Sequence, residues 1–178
     1  METELITAYV GIGSNLGDRA GNLLLAVRGL MEASFTVCKL SGIYETEPVE
    51  IENSPNFLNM VAEIKAESIT PSQMMARMLR IEYLLGRTDK SQKKPRTIDL
   101  DLLFYAQEQT DSPFLTVPHP RVHLRKFVLV PLNEIAPAFI HPRLHKDIRS
   151  LLSECKDTSL VTRWNPNIAG GLHLYSNG

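Results

Sequence analysis

The sequence is short of several things, and each shortage excludes a class of protein. Only two cysteines occur in 178 residues, Cys38 in an apolar stretch and Cys155 near the C-terminus. They form neither a disulfide framework nor a metal-ligand spacing, so a reducing cytoplasm is the expected home. No apolar run approaches the length that spans a bilayer, and the start METELITAYV carries acids where a secretory leader has a basic and then an apolar region. Neither membrane insertion nor export is expected. An excess of one charge is also missing: 19 Lys and Arg against 20 Asp and Glu leave a net charge of −1, which gives no global attraction to nucleic acid or to an anionic surface. There is no internal repeat, no low-complexity segment, no Gly-Lys-Ser/Thr phosphate loop and no G-x-G-x-x-G fingerprint.

What remains is a chain of ordinary soluble composition, 43% hydrophobic and 22% charged, which suits one domain with its own core. One stretch departs from the ordinary. Residues 95–105, PRTIDLDLLFY, read as a buried strand that contains two carboxylates. In a strand Asp99 and Asp101 point to one face, roughly 7 Å apart, while Ile98, Leu100 and Leu102 point to the other. Like charges held so close repel by a few kcal/mol at an effective dielectric of about 20, so a cation is expected beside them. Arg96 is one candidate. Mg²⁺ is the other, because it takes oxygen ligands, commonly one or two carboxylates completed by nucleotide phosphates. Immediately upstream, Arg87, Lys90, Lys93, Lys94 and Arg96 stand against the single acid Asp89. That segment is either a solvated basic loop or an anion-binding loop beside a cation site.

Strand formers at 6–12 run into Gly11-Ile12-Gly13-Ser14-Asn15-Leu16-Gly17-Asp18, which predicts a strand, a tight glycine turn and a helix capped by Asp18. Leu24, Val27, Leu30 and Met31 are the expected buried stripe of that helix, through about residue 33. A strand is predicted at 35–44, a long acidic loop at 45–55 and an alternating strand at 57–66. Thr70, Pro71 and Gln73 then mark a capped helix whose stripe is Met74, Met78, Ile81 and Leu85, and Gly86 ends it. After a turn at 107–113 comes a short strand at 115–117 that stops at Pro118-His119-Pro120, where the flanking prolines limit the backbone freedom of the histidine. Helices are expected at 122–135, with Phe127, Val130 and Leu132 inward, and at 147–155. A weakly ordered tail is expected at 165–178. With no regular βαβ alternation, the fold class is α+β.

Several motifs fall into one order: Gly13-Ser14-Asn15-Leu16-Gly17-Asp18, Tyr44-Glu45-Thr46-Glu47-Pro48, Phe57-Leu58-Asn59, Arg80-Ile81-Glu82, Gly86-Arg87, PRTIDLDLLFY, Val117-Pro118-His119-Pro120-Arg121 and Phe127-Val128-Leu129-Val130-Pro131-Leu132. Together they resemble the 6-hydroxymethyl-7,8-dihydropterin pyrophosphokinases of folate biosynthesis, collinearly from about residue 7 to 164. The resemblance implies a ferredoxin-like α+β fold, a mainly antiparallel sheet with helices on its faces, and one pyrophosphokinase domain over 1–164. It implies transfer of a diphosphoryl group from ATP to the pterin hydroxymethyl with release of AMP. Asp99 and Asp101 would hold two Mg²⁺ ions, and Arg87 and Arg96 would join them in catalysis. Glu82, Lys93, Lys94, Leu102, Thr116, His119 and Arg125 would surround ATP. Phe57 and Phe127 would sandwich the pterin, while Asn59, Thr46 and the backbone near Val49 read its edge. Where relatives commonly carry G-R-x-R and R-W-G before the P-R-T, this chain has lysines and no tryptophan, so point charges replace a guanidinium fork and an indole. The expected partners are the two small substrates, without nucleic acid or membrane, and the chain is expected to act as a monomer. A catalytically weak or silent pterin- and nucleotide-binding relative is the alternative that the altered loop permits. An RNA-binding domain would want exposed sheet aromatics and a basic balance, and neither is evident.

Overall fold

The computed structural model describes residues 5–48, 53–87 and 95–166. A six-stranded sheet is its centre, built around the long strand β4 (Phe57–Glu67) and its neighbour β1 (Leu5–Ser14). These two pair antiparallel over the whole length of β1, from Leu5 opposite Glu67 to Ser14 opposite Leu58. On the far side of β1 lies β5 (Asp99–Tyr105), an edge strand. On the far side of β4 lie β2 (Thr36–Leu40) and β3 (Tyr44–Thr46), and β8 (Val161–Arg163) adds to β3. With α1 (Arg19–Glu32) after β1, α2 (Pro71–Leu84) after β4, and β2 and β3 together filling one strand position beside β4, the order from β1 to β5 is the βαββαβ arrangement of a ferredoxin-like fold. The expected α+β class and antiparallel sheet are therefore observed.

Helix starts follow local chemistry. The Asp18 carboxylate accepts the Gly21 N–H at 3.0 Å and caps α1. Thr70 and Gln73 form a reciprocal capping box, Thr70 Oγ1 accepting the Gln73 N–H and Gln73 Oε1 accepting the Thr70 N–H at 2.8 Å, with Pro71 at the first turn of α2. The end of α2 is a Schellman turn on Gly86, which has φ +94°: the Arg87 N–H reaches the Glu82 carbonyl at 2.9 Å and the Gly86 N–H the Tyr83 carbonyl at 3.0 Å. This reversal sends Arg87 back beneath its own helix.

Helices α1 and α2 cover one sheet face, where Leu23, Leu30, Met74, Met78 and Ile81 meet Val10, Ile12, Ile64, Leu100 and Leu102. The other face carries α3 (Lys126–Ile135) and α4 (Ile148–Glu154), packed over Tyr9, Val61, Leu103 and Phe104. Adjacent Leu103 and Phe104 both turn to this second face because the register with β1 shifts by one residue between Tyr9 and Val10. A small hairpin of β6 (Thr110–Asp111) and β7 (Thr116–Val117) lies beyond the edge strand.

Some expectations are corrected. Gly11 and Gly13 belong to β1 and not to a turn; a central strand receives ladder bonds from both neighbours, which offsets the poor strand propensity of glycine. The turn lies at 15–18, with Gly17 at φ +71°. The stripe of α1 is Leu23, Ala26, Val27 and Leu30, while Leu24 and Met31 are exposed, because Leu23, Leu24 and Leu25 make its periodicity degenerate. The strand expected at 35–44 is two strands, β2 and β3, each pairing a different half of β4. The helix expected at 122–135 is a 3-10 turn, Val122–Leu124, followed by α3, which buries Val128, Leu129 and Leu132; Phe127 and Val130 are only half-buried. Strand β8 was not foreseen. The tail expectation falls largely on residues 167–178, outside the described residues.

Candidate active site

Register alone assembles the site. Residues opposite one another in antiparallel strands share a face. Asp99 on β5 is opposite Gly13 on β1, Gly13 is opposite Asn59 on β4, and Asn59 is opposite Tyr44 on β3. Asp101, Phe57 and Thr46 lie two residues along their strands and so on this same face. The two aspartates thus stand one strand away from the pterin-edge candidates, roughly 10 Å across at ordinary strand spacing. Between them the floor is Gly13. A Cβ at that position would come 2.9 Å from Asn59 Oδ1, so only glycine lets the Asn59 amide lie across β1. Asn59 in turn donates from Nδ2 to Thr46 Oγ1 at 2.9 Å, which fixes the orientation of the amide.

The acidic end is tied to the helix face through the sheet edge. Glu82 on α2, 2% exposed, accepts the Leu100 N–H at 2.7 Å, capping a donor of the edge strand. The same oxygen accepts from Arg87 Nη1 at 3.3 Å, and that nitrogen also donates to the Ile98 carbonyl at 3.4 Å and to Asp99 Oδ1. Arg96 Nη1 holds the other Asp99 oxygen at 3.0 Å. The arginine alternative from the sequence is thus realised at Asp99, which both guanidiniums hold. Among the described residues no three His, Cys, Asp or Glu side chains gather as a metal cage. Two carboxylates on one strand face nevertheless suit Mg²⁺, whose remaining ligands come from phosphate and water.

The other candidates border this face. The Arg96 guanidinium lies 5.7 Å from the centroid of Phe57, and that of Arg125 lies 5.5 Å from the centroid of Phe127 at the start of α3. His119 donates its N–H to the Leu103 carbonyl at 2.9 Å, and its Nδ1 accepts the Arg121 N–H at 3.2 Å, so the ring is set from its Nδ1 side. Thr116 is half-buried on β7. Leu102 turns its side chain into the core beneath α1 and α2, so what it offers a ligand is backbone. Glu82 is likewise held beneath the strand, behind Arg87. Val49, Lys93 and Lys94 lie outside the described residues.

Sequence reasoning missed three participants. Gly13 carries the sequence signal of a turn although it lies in β1. Asn15, 1% exposed, was passed over although a buried asparagine at a strand end demands partners. Arg19 was not considered; it ion-pairs with Glu45 at 2.8 Å and donates to the Asn56 carbonyl at 2.9 Å, holding the segment that leads into Phe57.

The chain is similar to several known proteins. A family model described as 7,8-dihydro-6-hydroxymethylpterin-pyrophosphokinase (HPPK) matches residues 9–137. A Bacillus subtilis protein named 2-amino-4-hydroxy-6-hydroxymethyldihydropteridine pyrophosphokinase is 47% identical over 129 residues, covering 72% of this chain and 77% of its own. An Aquifex aeolicus protein of the same name is 37% identical over 150 residues, covering 84% and 92%. Among solved structures, Plasmodium falciparum HPPK-DHPS with pteroate superposes with a TM-score of 0.70 at 18% identity over 86% of this chain, which supports the fold; this chain spans 43% of that one.

Proposed function

The chain belongs to the 7,8-dihydro-6-hydroxymethylpterin-pyrophosphokinase family, and from that premise we propose that it transfers the diphosphoryl group of ATP to the hydroxymethyl oxygen of 6-hydroxymethyl-7,8-dihydropterin, releasing AMP. It is a pyrophosphokinase of folate biosynthesis. The observation that carries the detailed reading is the row Asp99, Gly13, Asn59 across three adjacent strands. A flat heterocycle with its edge on Asn59 and Thr46, flanked by Phe57 and Phe127, extends its substituent over bare Gly13 toward the carboxylates.

In the reaction the hydroxymethyl oxygen loses its proton and bonds to the β-phosphorus, while the bond from that phosphorus to the oxygen it shares with the α-phosphorus breaks. The chain's task is to position the two reactants and to balance charge on the phosphates. Asn59 orients the pterin by pairing both halves of its amide with donor and acceptor on the ring edge. Arg96 and Arg87 exchange part of their hold on Asp99 for phosphate oxygens, and Arg125, His119, Lys93 and Lys94 supply further donors and positive charge. Leu102 backbone and Thr116 border the nucleoside. Magnesium, two ions in this reading, would be held by Asp99 and Asp101 and would supply charge neutralisation at the transferring phosphates. Glu82 keeps Arg87 at the strand.

The catalytic unit in this reading is a single chain of one domain over 1–164, because every described site residue comes from one sheet and the elements beside it. A cytoplasmic location suits the free thiols of Cys38 and Cys155, and no helix among the described residues is long and apolar enough to cross a membrane. Turnover with ATP, Mg²⁺ and 6-hydroxymethyl-7,8-dihydropterin, followed by chromatography of the nucleotides, tests the proposal. AMP in equal amount to a diphosphorylated pterin is expected. ADP as the nucleotide product, or no pterin-dependent product, would overturn it.

A further inference from the structure

The strand-end motif Gly13-Ser14-Asn15 contains a buried amide that has no part in the reaction. Asn15 directly follows β1 and is 1% exposed. Its partners lie on two segments far apart in sequence. Toward residues 95–99 it makes a two-bond clasp, the Asn15 N–H donating to the Arg96 carbonyl at 3.1 Å and the Arg96 N–H donating to Asn15 Oδ1 at 2.7 Å. Toward residues 54–57 its Nδ2 donates to Ser54 Oγ at 2.9 Å and to the Pro55 carbonyl at 3.3 Å. The side-chain amide has one acceptor oxygen and two N–H donors, and these bonds engage both ends of it.

The two segments are the backbones of the two subsites. Three residues beyond the clasped Arg96 peptide is Asp99, held by the Arg96 side chain at 3.0 Å. Two residues beyond Pro55 is Phe57, whose ring lies 5.7 Å from the same guanidinium carbon. The segments are therefore joined twice, through the Asn15 amide and at the Arg96–Phe57 contact. The second is a cation–π pair between two partly exposed side chains, whose guanidinium a nucleotide would draw on. The first is centred on a buried residue.

We propose that Asn15 is a positioning residue that couples the nucleotide and pterin subsites, so that occupation of one raises affinity for the other. This rests on the pyrophosphokinase reading of the site. A nucleotide gripped by Arg96 and the aspartates restrains residues 95–99. Through the Asn15 amide that restraint passes to residues 54–57, and the pterin then meets a Phe57 wall already ordered. Linkage makes the effect reciprocal: pterin tightens nucleotide by the same factor.

The test is isothermal titration of 6-hydroxymethyl-7,8-dihydropterin with and without a saturating nonhydrolysable ATP analogue and Mg²⁺, in the wild type and in Asn15→Asp. This variant keeps an oxygen for the Arg96 N–H but has no donor for Ser54 and Pro55. The ratio of the two dissociation constants is the readout, since a role confined to stability would lower the melting temperature and leave that ratio alone. We expect a wild-type ratio within the usual coupling range of about 5–150-fold and a ratio below about threefold in Asn15→Asp. If Asn15→Asp lacks a cooperative melt, Ser54→Ala carries the test, because it removes one acceptor and leaves Asn15 in place; there the ratio should fall at least about twofold. A ratio equal to that of the wild type in the folded variant would overturn the inference, as would a wild type that binds both ligands independently. A wild type that binds neither ligand would instead sink the pyrophosphokinase reading itself.

Discussion

Gly13→Ala should separate ligand recognition from folding. The added methyl would sit 2.9 Å from Asn59 Oδ1, 3.7 Å from Phe57 Cδ1 and 3.9 Å from the Leu58 carbonyl oxygen. Only the first of these is closer than a relaxed structure tolerates, so the yielding group is the Asn59 amide. A turn of about 30° off its rotamer, small enough to keep the bond to Thr46, costs about 0.5–1.5 kcal/mol. Replacing a strand glycine by alanine returns about 0.5–1 kcal/mol by restricting the unfolded chain, so the two nearly cancel in stability. Binding has no such offset. With the amide turned away, one or two hydrogen bonds to a buried ring edge are lost, about 1–3 kcal/mol, which is roughly fivefold to 150-fold in pterin affinity. A thermal melt should change little, while titration with the dihydropterin shows the loss and titration with the ATP analogue shows much less. Gly11→Ala is the control, because its methyl would meet Leu103 Cδ2 at 3.5 Å, an ordinary contact that leaves Asn59 in place. Pterin affinity within twofold of the wild type in Gly13→Ala would refute the idea that this glycine is bare because Asn59 must cross it.

Two further outcomes can be checked. Asp99→Ala and Asp101→Ala should each lower turnover by orders of magnitude, and Asp99→Ala should also cost about 1–3 kcal/mol of stability in urea unfolding, because it takes a partner from the buried Arg87 guanidinium; wild-type stability of Asp99→Ala would contradict the Arg87 network. His141 is buried against Phe104, and burial, followed by the positive neighbours His123 and Arg143, lowers its pKa to about 4. A folded-state value below the ordinary 6.5 means that the unfolded chain takes up the proton first, so stability should be full above about pH 6.5 and fall by up to about 3 kcal/mol as pH drops toward 4. His141→Asn, whose Oδ1 can accept the Arg143 and Leu144 N–H groups as Nδ1 does, should flatten that limb, and an unchanged limb would assign acid sensitivity elsewhere.

What the sequence determined by itself was whatever short-range chemistry specifies. The caps at Asp18 and Thr70, the stop at Gly86 and the alternation that puts Asp99 and Asp101 on one face need only neighbours within a turn or two, and all are observed. The motif order from Gly13 to Leu132 also revealed the family without any geometry. Periodicity failed where it was degenerate, in the run Leu23-Leu24-Leu25, since only the sheet beneath α1 chooses which leucine is covered. Registers are another kind of information. That Asp99 faces Gly13 and Gly13 faces Asn59 depends on pairing between residues more than forty positions apart, and nothing local encodes which glycine will be opposite which asparagine. Contacts between segments separated in the chain likewise set Glu82 beneath β5 and joined Asn15 to both Arg96 and Ser54. A buried polar side chain states in the sequence only that it needs partners; the tertiary fold decides which segments those are, because hydrogen bonds across a sheet exist only after the strands have been brought side by side.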